Sequence, residues 1–257
     1  MLGLGEEASL LARVFLERGA EVVAHDPTRP KLPVVKLVDS LQDAVSQADV
    51  VISLNSSLAS LDYATKAATA LQPGALYCDL NASTPDLKKR LSALFPQGSF
   101  VDVAVMGSIS ELAHKVPLSV SGSGAAKLVE LFEPLGLDLT LVSDQAGDAA
   151  ARGQLRSLID NGISAVLVDV LWAAKELGLE SWALKEIQNQ LEAMDATPVQ
   201  TRLNQTAKNA KKRSVALGDT VELLAAVGYE STMLNGIAAT LSKAMHNVKI
   251  PFANPND

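Results

Sequence analysis

The chain has 257 residues, 48 % hydrophobic but only 4 % aromatic, and a formal net charge of -7 at pH 7. That length supports one large or two modest domains with an aliphatic core, and an acidic chain without a basic stripe is not built to track nucleic acid. The single cysteine, Cys78, excludes a disulfide framework and a cysteine-based metal site; the absence of a span-length apolar run and of a signal-peptide layout points to a cytoplasmic protein with no membrane partner.

Taken in chain order, Ala8, Leu11, Ala12, Phe15 and Leu16 recur at helical spacing and predict a helix closed by Gly19. EVVAHD predicts a strand ending on an acid, with VVKLV after it. DSLQDAVSQA reads as a helix, DVVISLN as a strand, LASLDYATKAATAL as a helix and ALYCDLN as a strand. TPDLKKRLSALF follows as a helix capped by Ser83 or Thr84. SFVDVAVM and PLSVSG are strands, and SGAAKLVELFEPLG is a helix. Near-continuous apolar strands alternating with helices predict a parallel sheet covered on both faces. The alternation stops near Asp144. From Ala146 to about Asn247 only helices are expected: a long one carrying Leu155, Leu158, Ile159, Val166, Leu167, Val170 and Leu171, and two more ending at Gly178 and Gly228. The basic cluster Lys208 to Arg213 reads as a solvated helix face, and PFANPND as a loose tail. The expected architecture is α/β: a Rossmann-like parallel-sheet domain over residues 1–145, its first strand largely missing, then an all-helical domain over residues 146–257.

The fragment GLGEEA has the spacing G-x-G-x-x-A of a dinucleotide-binding turn. Gly3 permits the tight turn, Gly5 lets the backbone approach a pyrophosphate, and Ala8 lets the helix sit close to the sheet. The helix that starts at once aims its free N–H groups and dipole at that pyrophosphate. Glu6 and Glu7 suit the helix dipole and read as outward-pointing charges. Asp26 ends the next strand about 20 residues past the glycines, where an acid bonds a ribose 2′-hydroxyl. Its charge repels a 2′-phosphate and favours NAD; Arg29 is placed to cover such a phosphate, so NADP stays open, and Thr28 suits either. Only Met1 and Leu2 precede the turn, so its supporting strand is expected to be a remnant.

A G-x-G-x-x-A domain followed by a helical half resembles the β-hydroxyacid dehydrogenase superfamily, which includes 6-phosphogluconate dehydrogenase and the imine reductases. ADVVISLNSS resembles the strand and loop beside the adenosine and nicotinamide. DLNASTPDLKK resembles the segment D-x-(S/N)-x-x-x-P that reaches the nicotinamide side, and FVDVAVMGS the strand and substrate loop F-x-D-A-P-V-S-G-G. PLSVSGSGAA resembles the strand-to-helix turn that follows. DVAVMG with HKVPL, the short helical half and KRSVALGDTVELLAAVGYESTM resemble an uncharacterised branch. The resemblance implies a homodimer paired through the helical halves. The superfamily's dehydrogenases carry an acid/base Lys on the long interdomain helix, with an Asn one turn later. Aligning AARGQLRSLIDNG on LRS puts Gly153 at the Lys position and Ser157 at the Asn position, and no Lys lies between Lys127 and Lys175. Imine reductases also dispense with that Lys.

The cofactor-side candidates are Gly3, Leu4, Gly5, Glu6, Asp26, Arg29, Asn55, Ser56 and Asn81; Asn55, Ser56 and Asn81 follow strand ends, where ligands sit in open α/β sheets. Ser83 is a weaker ligand candidate. The catalytic-side candidates are Ser108, with the nearby N–H of Gly107, to hold a carboxylate or carbonyl; Arg156, to clamp an anion; and Asn161, which with Gln154 supplies neutral hydrogen bonds. Arg156 and Asp160, one helical turn apart, also fit a plain intrahelical ion pair. His114 reads as a surface or capping residue. The expected function is an NAD- or NADP-dependent oxidoreductase moving hydride to or from a small anionic hydroxy acid, ketone or imine. The alternative is a catalytically silent nucleotide-binding protein, on the replacement of the family Lys by Gly153.

Overall fold

The computed structural model describes residues 1–28, 35–56, 58–195, 197–246 and 249–254. The chain forms two compact units, Met1–Leu158 and Ile159–Asp257. Residue 145 marks the end of the strands, whereas the division by contacts falls inside a helix.

In the first unit, helix α1 (Glu6–Glu17) buries Ala8, Leu11, Ala12, Val14 and Phe15 along one face. Strands β1 (Val23–Ala24) and β2 (Lys36–Leu37) pair in parallel. Helix α2 (Leu41–Val45) is capped by Ser40, whose hydroxyl accepts from Asp43 N. Then come β3 (Val50–Ser53), α3 (Ser60–Ala68), β4 (Leu76–Asp79) and α4 (Pro85–Ser92). They are followed by β5 (Phe100–Val105), the short α5 (Ile109–Leu112), β6 (Leu118–Ser121), α6 (Ala125–Phe132) and β7 (Leu139–Ser143). The main sheet has the order β3-β4-β5-β6-β7.

Met1 and Leu2 join the two sheets. Leu2 makes parallel bridges to both His25 and Ser53. Leu2 N donates to Ile52 O at 2.8 Å, Leu54 N donates to Leu2 O at 2.9 Å, and His25 N donates to Met1 O at 2.9 Å. Two residues therefore pair the polar backbone edges of β1 and β3, and they are enough to seat the glycine turn.

Successive residues of the inner strands serve opposite faces, as the two-residue pleat requires. Ile52, Cys78 and Val101 pack with Leu11, Phe15 and Leu128 on one face. Val51, Tyr77 and Phe100 pack with Leu2, Leu91 and Phe95 on the other. Tyr77 stacks on Phe95 with ring centroids 4.4 Å apart.

The sheet departs from the expected pattern twice. β5 and β6 run antiparallel, because their connection carries only a four-residue helix and a 3-10 turn instead of a full crossover helix. β7, in DLTLVSD, is an additional edge strand parallel to β6. Its residues are partly exposed, with Leu141 50 % accessible, so it lacks the buried apolar run that marked the others.

Helix α7 (Asp148–Glu176) runs through the division between the units. The segment expected to end separately at Gly178 is this same helix. The second unit contains the rest of α7, then α8 (Glu180–Asp195), α9 (Val199–Ala226) and α10 (Thr232–Met245). Within it, Asp169 accepts from Tyr229 Oη at 2.8 Å and from Ser231 Oγ at 2.5 Å, and Ser231 caps α10 through Leu234 N. A cavity of about 230 Å³ lies among Val166, Ala173, Leu177, Trp182, Leu224 and Ile237. Trp172, Trp182 and Val215 are each at least 60 % exposed.

One expectation is corrected here. Helix α7 is long and apolar enough, by length and composition, to cross a membrane, with a window of mean hydropathy 1.4 that is 11 % buried. The sequence pattern concealed this because Arg152, Arg156, Asp160 and Asp169 interrupt the apolar run.

Candidate functional site at the strand ends

The glycine turn is built by sterics. Gly3 has φ +94°, and a Cβ there would lie 2.4 Å from the Leu54 carbonyl oxygen and 3.2 Å from Asn55 Cα. Only glycine fits, because the turn rests directly on the loop after β3. Gly5 is different: its backbone is extended (φ −61°, ψ 179°) at the N-cap of α1, and a Cβ there would meet nothing within 4 Å. The space above Gly5 is open, and the first N–H groups of α1 have no intrahelical partners. Open space at a helix N-terminus fits a pyrophosphate.

Asp26 is locked across this turn. One carboxylate oxygen accepts from Leu4 N at 2.9 Å, and the other from Thr28 N at 2.9 Å and Thr28 Oγ1 at 2.8 Å. Tyr63 on α3 lies close enough for Asp26 to raise its phenol pKa, after the larger effect of burial. Arg29 lies outside the described residues. Glu6 and Glu7 are exposed in the first turn of α1.

Beyond the turn, the loops after β3 and β4 are tied together. Asn55 N donates to Asn81 Oδ1 at 2.7 Å, Asn81 Nδ2 donates to Asp79 Oδ2 at 3.0 Å, and Asn55 Nδ2 donates to Ser53 Oγ at 3.0 Å. Asn81 is 3 % exposed, so its amide holds the loops in place from within. Ser56 accepts at the start of α3 from Ala59 N at 3.3 Å. Thr84, not Ser83, caps α4, accepting from Leu87 N at 3.3 Å. Ser83 is 7 % exposed, and among the described residues its hydroxyl has no hydrogen-bond partner. An unsatisfied buried hydroxyl beside a strand-end loop is a ready ligand contact.

Ser108 precedes α5, with its hydroxyl 2.8 Å from that of Ser110. The short helix that Ser108 precedes packs on α1. Gly153, set in the family lysine's place by the alignment, turns toward β5: a Cβ there would lie 3.1 Å from Ala104 Cβ. The next residue, Gln154, reaches the strand-end loop and donates to Ser83 O at 3.3 Å. An amide can orient a carbonyl or imine but cannot exchange a proton near neutral pH. Arg156 is half-buried, two residues further along α7, and Asn161 belongs to the second unit.

The sequence reading passed over a buried ion cluster. Lys88 Nζ lies 2.6 Å from Asp79 Oδ1 and 3.1 Å from Asp102 Oδ1, with all three side chains at most 1 % exposed. The signal was an acid inside each of two apolar strands, ALYCDLN and SFVDVAVM.

Comparison with known proteins places this geometry. The NAD-binding domain family of 6-phosphogluconate dehydrogenase matches residues 1–139. An uncharacterised 28.5 kDa protein encoded in the 7S RNA 5′ region of Methanothermus fervidus is 29 % identical over 184 residues, covering 69 % of this chain and 71 % of that protein. A conserved protein of unknown function, described as structurally similar to 3-hydroxyacid dehydrogenases, is 28 % identical with a TM-score of 0.60 over 95 % of both chains. The imine reductase from Myxococcus stipitatus, solved with NADP+, is 17 % identical with a TM-score of 0.79 over 96 % of this chain and 93 % of that one; this likeness is one of fold.

Proposed function

The chain belongs to the family of the NAD-binding domain of 6-phosphogluconate dehydrogenase, and from that premise we propose that it is a nicotinamide-dependent oxidoreductase acting on a small hydroxy acid, ketone or imine. The observation that carries the reading is the glycine turn: Gly5 open at the N-terminus of α1, with Asp26 held by Leu4 N at 2.9 Å beside it. Gly3, Leu4, Gly5 and Glu6 form the pyrophosphate cradle, and Asp26 faces the adenosine ribose. A fixed carboxylate there repels a 2′-phosphate, which favours NAD over NADP. Asn55 and Ser56 line the side toward the nicotinamide, which supplies or accepts hydride when bound, and the buried Asn81 holds their loop.

On the substrate side, Ser83 and Gln154 offer neutral hydrogen bonds to a carbonyl or imine, and Ser108 and Arg156 hold an anionic group. We also propose a homodimer. Helix α7 contains an 18-residue apolar window that is only 11 % buried, a surface a second copy of the chain would cover. Asp160 and Asp169 make a second copy a better cover than lipid.

The test is turnover by the full chain. NADH is mixed in turn with keto acids, ketones and imines, and its absorbance is followed. Loss of reduced cofactor with one class supports the reading and names the substrate class. Gly153, at the position the alignment gives the family lysine, favours a second reading, a nucleotide-binding protein without turnover. That reading gains if NADH binds but is oxidised by no member of the panel.

A further inference from the structure

We infer that the buried cluster Lys88–Asp79–Asp102 is a positioning device that sets the nicotinamide-side wall of the cofactor site more than the adenosine side; this rests on the cofactor reading above.

Asp79 and Asp102 stand directly opposite each other in neighbouring parallel strands, and both are fully buried. Two like charges in that arrangement repel. Lys88 answers both, at 2.6 and 3.1 Å, and its ammonium also donates to Asp79 O at 2.7 Å. Two of the ammonium's N–H groups have acceptors on Asp79, and Asp102 Oδ1 is held at 3.1 Å as an ion pair without a hydrogen bond of its own among the described residues. The cluster still carries one net negative charge. It is met by the start of α7: Gly147 N and Ala150 N donate to Asp102 Oδ2 at 3.0 and 2.9 Å, where the helix dipole is positive. Ser121 Oγ donates to the same oxygen at 3.2 Å and accepts from Ala149 N at 2.9 Å. On the other side, Asp79 Oδ2 accepts from Asn81 Nδ2, and Asn81 Oδ1 accepts from Asn55 N.

A path of hydrogen bonds and one ion pair thus runs from the first turn of α7, through the cluster, to the loops after β4 and β3. One turn further along α7 is Gln154, bonded to Ser83 O. The close approach of the α7 start to α4 is itself tight, because a Cβ on Gly147 would lie 2.9 Å from Pro85 O. A buried ion cluster is a poor source of stability compared with an apolar core. This one joins four segments that converge at one end of the sheet, and its service is registry. The glycine turn lies at the Leu2 and β1 end of the sheet and meets the path at its far end, where Gly3 rests on Leu54 and Asn55. A dinucleotide crossing from Asp26 over the α1 N-terminus reaches the β3 and β4 ends with its nicotinamide half only.

The test compares NADH with ADP-ribose, which lacks the nicotinamide ring, by titration calorimetry on the full chain. Wild type, Lys88→Met and Ser121→Ala are measured, with melting curves to verify folding. Lys88→Met is expected to weaken NADH by about tenfold, typical of residues in one network, and ADP-ribose by less than about twofold, because the adenosine side meets the path only through packing at its far end. Ser121→Ala removes one hydroxyl and no charge, and carries the test if Lys88→Met does not fold; its loss is smaller and equally one-sided. Equal losses for both ligands, or a loss for neither, overturn the proposal. If wild type binds neither ligand, the cofactor reading fails first and takes this inference with it.

Discussion

Gly3→Ala and Gly5→Ala are chemically identical changes two residues apart, and the structure assigns them opposite consequences. At Gly3 the added methyl meets two penalties. Its φ of +94° costs an L-residue about 1–2 kcal/mol. The Cβ also falls 2.4 Å from the Leu54 carbonyl oxygen, about 1 Å inside the 3.4 Å limit of ordinary contact. That atom belongs to backbone bonded to Leu2 and cannot swing aside, so overpacking adds roughly 1–3 kcal/mol. The sum is about 3 kcal/mol, a fall in melting temperature of roughly 6–12 °C for a chain of this size. At Gly5 the backbone is already in a region open to alanine. The cost is the poorer N-cap, under about 1 kcal/mol and under about 4 °C. The Gly5 methyl instead fills the space proposed for pyrophosphate, and NADH affinity falls by at least about tenfold. Scanning calorimetry gives the first quantity and a fluorescence titration of NADH the second. A Gly3→Ala protein melting within about 2 °C of wild type refutes the steric account of the turn. A Gly5→Ala protein that binds NADH normally refutes the cradle.

Lys88→Met leaves two facing carboxylates buried without their cation and destabilises the protein by about 3–5 kcal/mol; Lys66→Met, which breaks only the exposed pair with Asp62 at 2.7 Å, changes stability by less than about 0.5 kcal/mol. Urea titrations of both variants measure the contrast, and equal effects would contradict the burial argument. Burial, and then the charge of Asp79, push the Cys78 thiol far above its usual range. It is therefore expected to resist maleimide at about pH 8 in the native protein and to react once urea unfolds the chain; rapid native labelling would show that β4 opens readily. Thr84→Ala removes the cap of α4 and is expected to cost about 1 kcal/mol, with Ser83→Ala as the comparison that leaves the helix end intact.

The fold was legible where one local rule acted alone. Val51 and Ile52, or Phe100 and Val101, belong to unbroken apolar runs, and such runs between amphipathic helices imply a covered sheet. β7 was not legible because an edge strand is half-exposed and carries Thr140 and Leu141 on an open side. Helix α7 was divided wrongly because nothing in the sequence stops it before Gly178. In the site, Gly3, Gly5 and Asp26 could be read from spacing, since the turn is local. Gln154 could not: which residue of a helix faces the strand-end loop depends on how the helix start is anchored. That anchor is Asp102, 45 residues before Gly147 in sequence. Lys88 was hidden for the same reason, as its two partners come from different strands.

The most direct test of the central claim is a thermal melt of the full chain with NADH and with NADPH. At about 100 times its dissociation constant a ligand adds about 2.7 kcal/mol, or roughly 5–11 °C here. The account predicts a shift of that size with NADH and a smaller one with NADPH at equal concentration. A cooperative melt that neither cofactor moves at millimolar excess would contradict it.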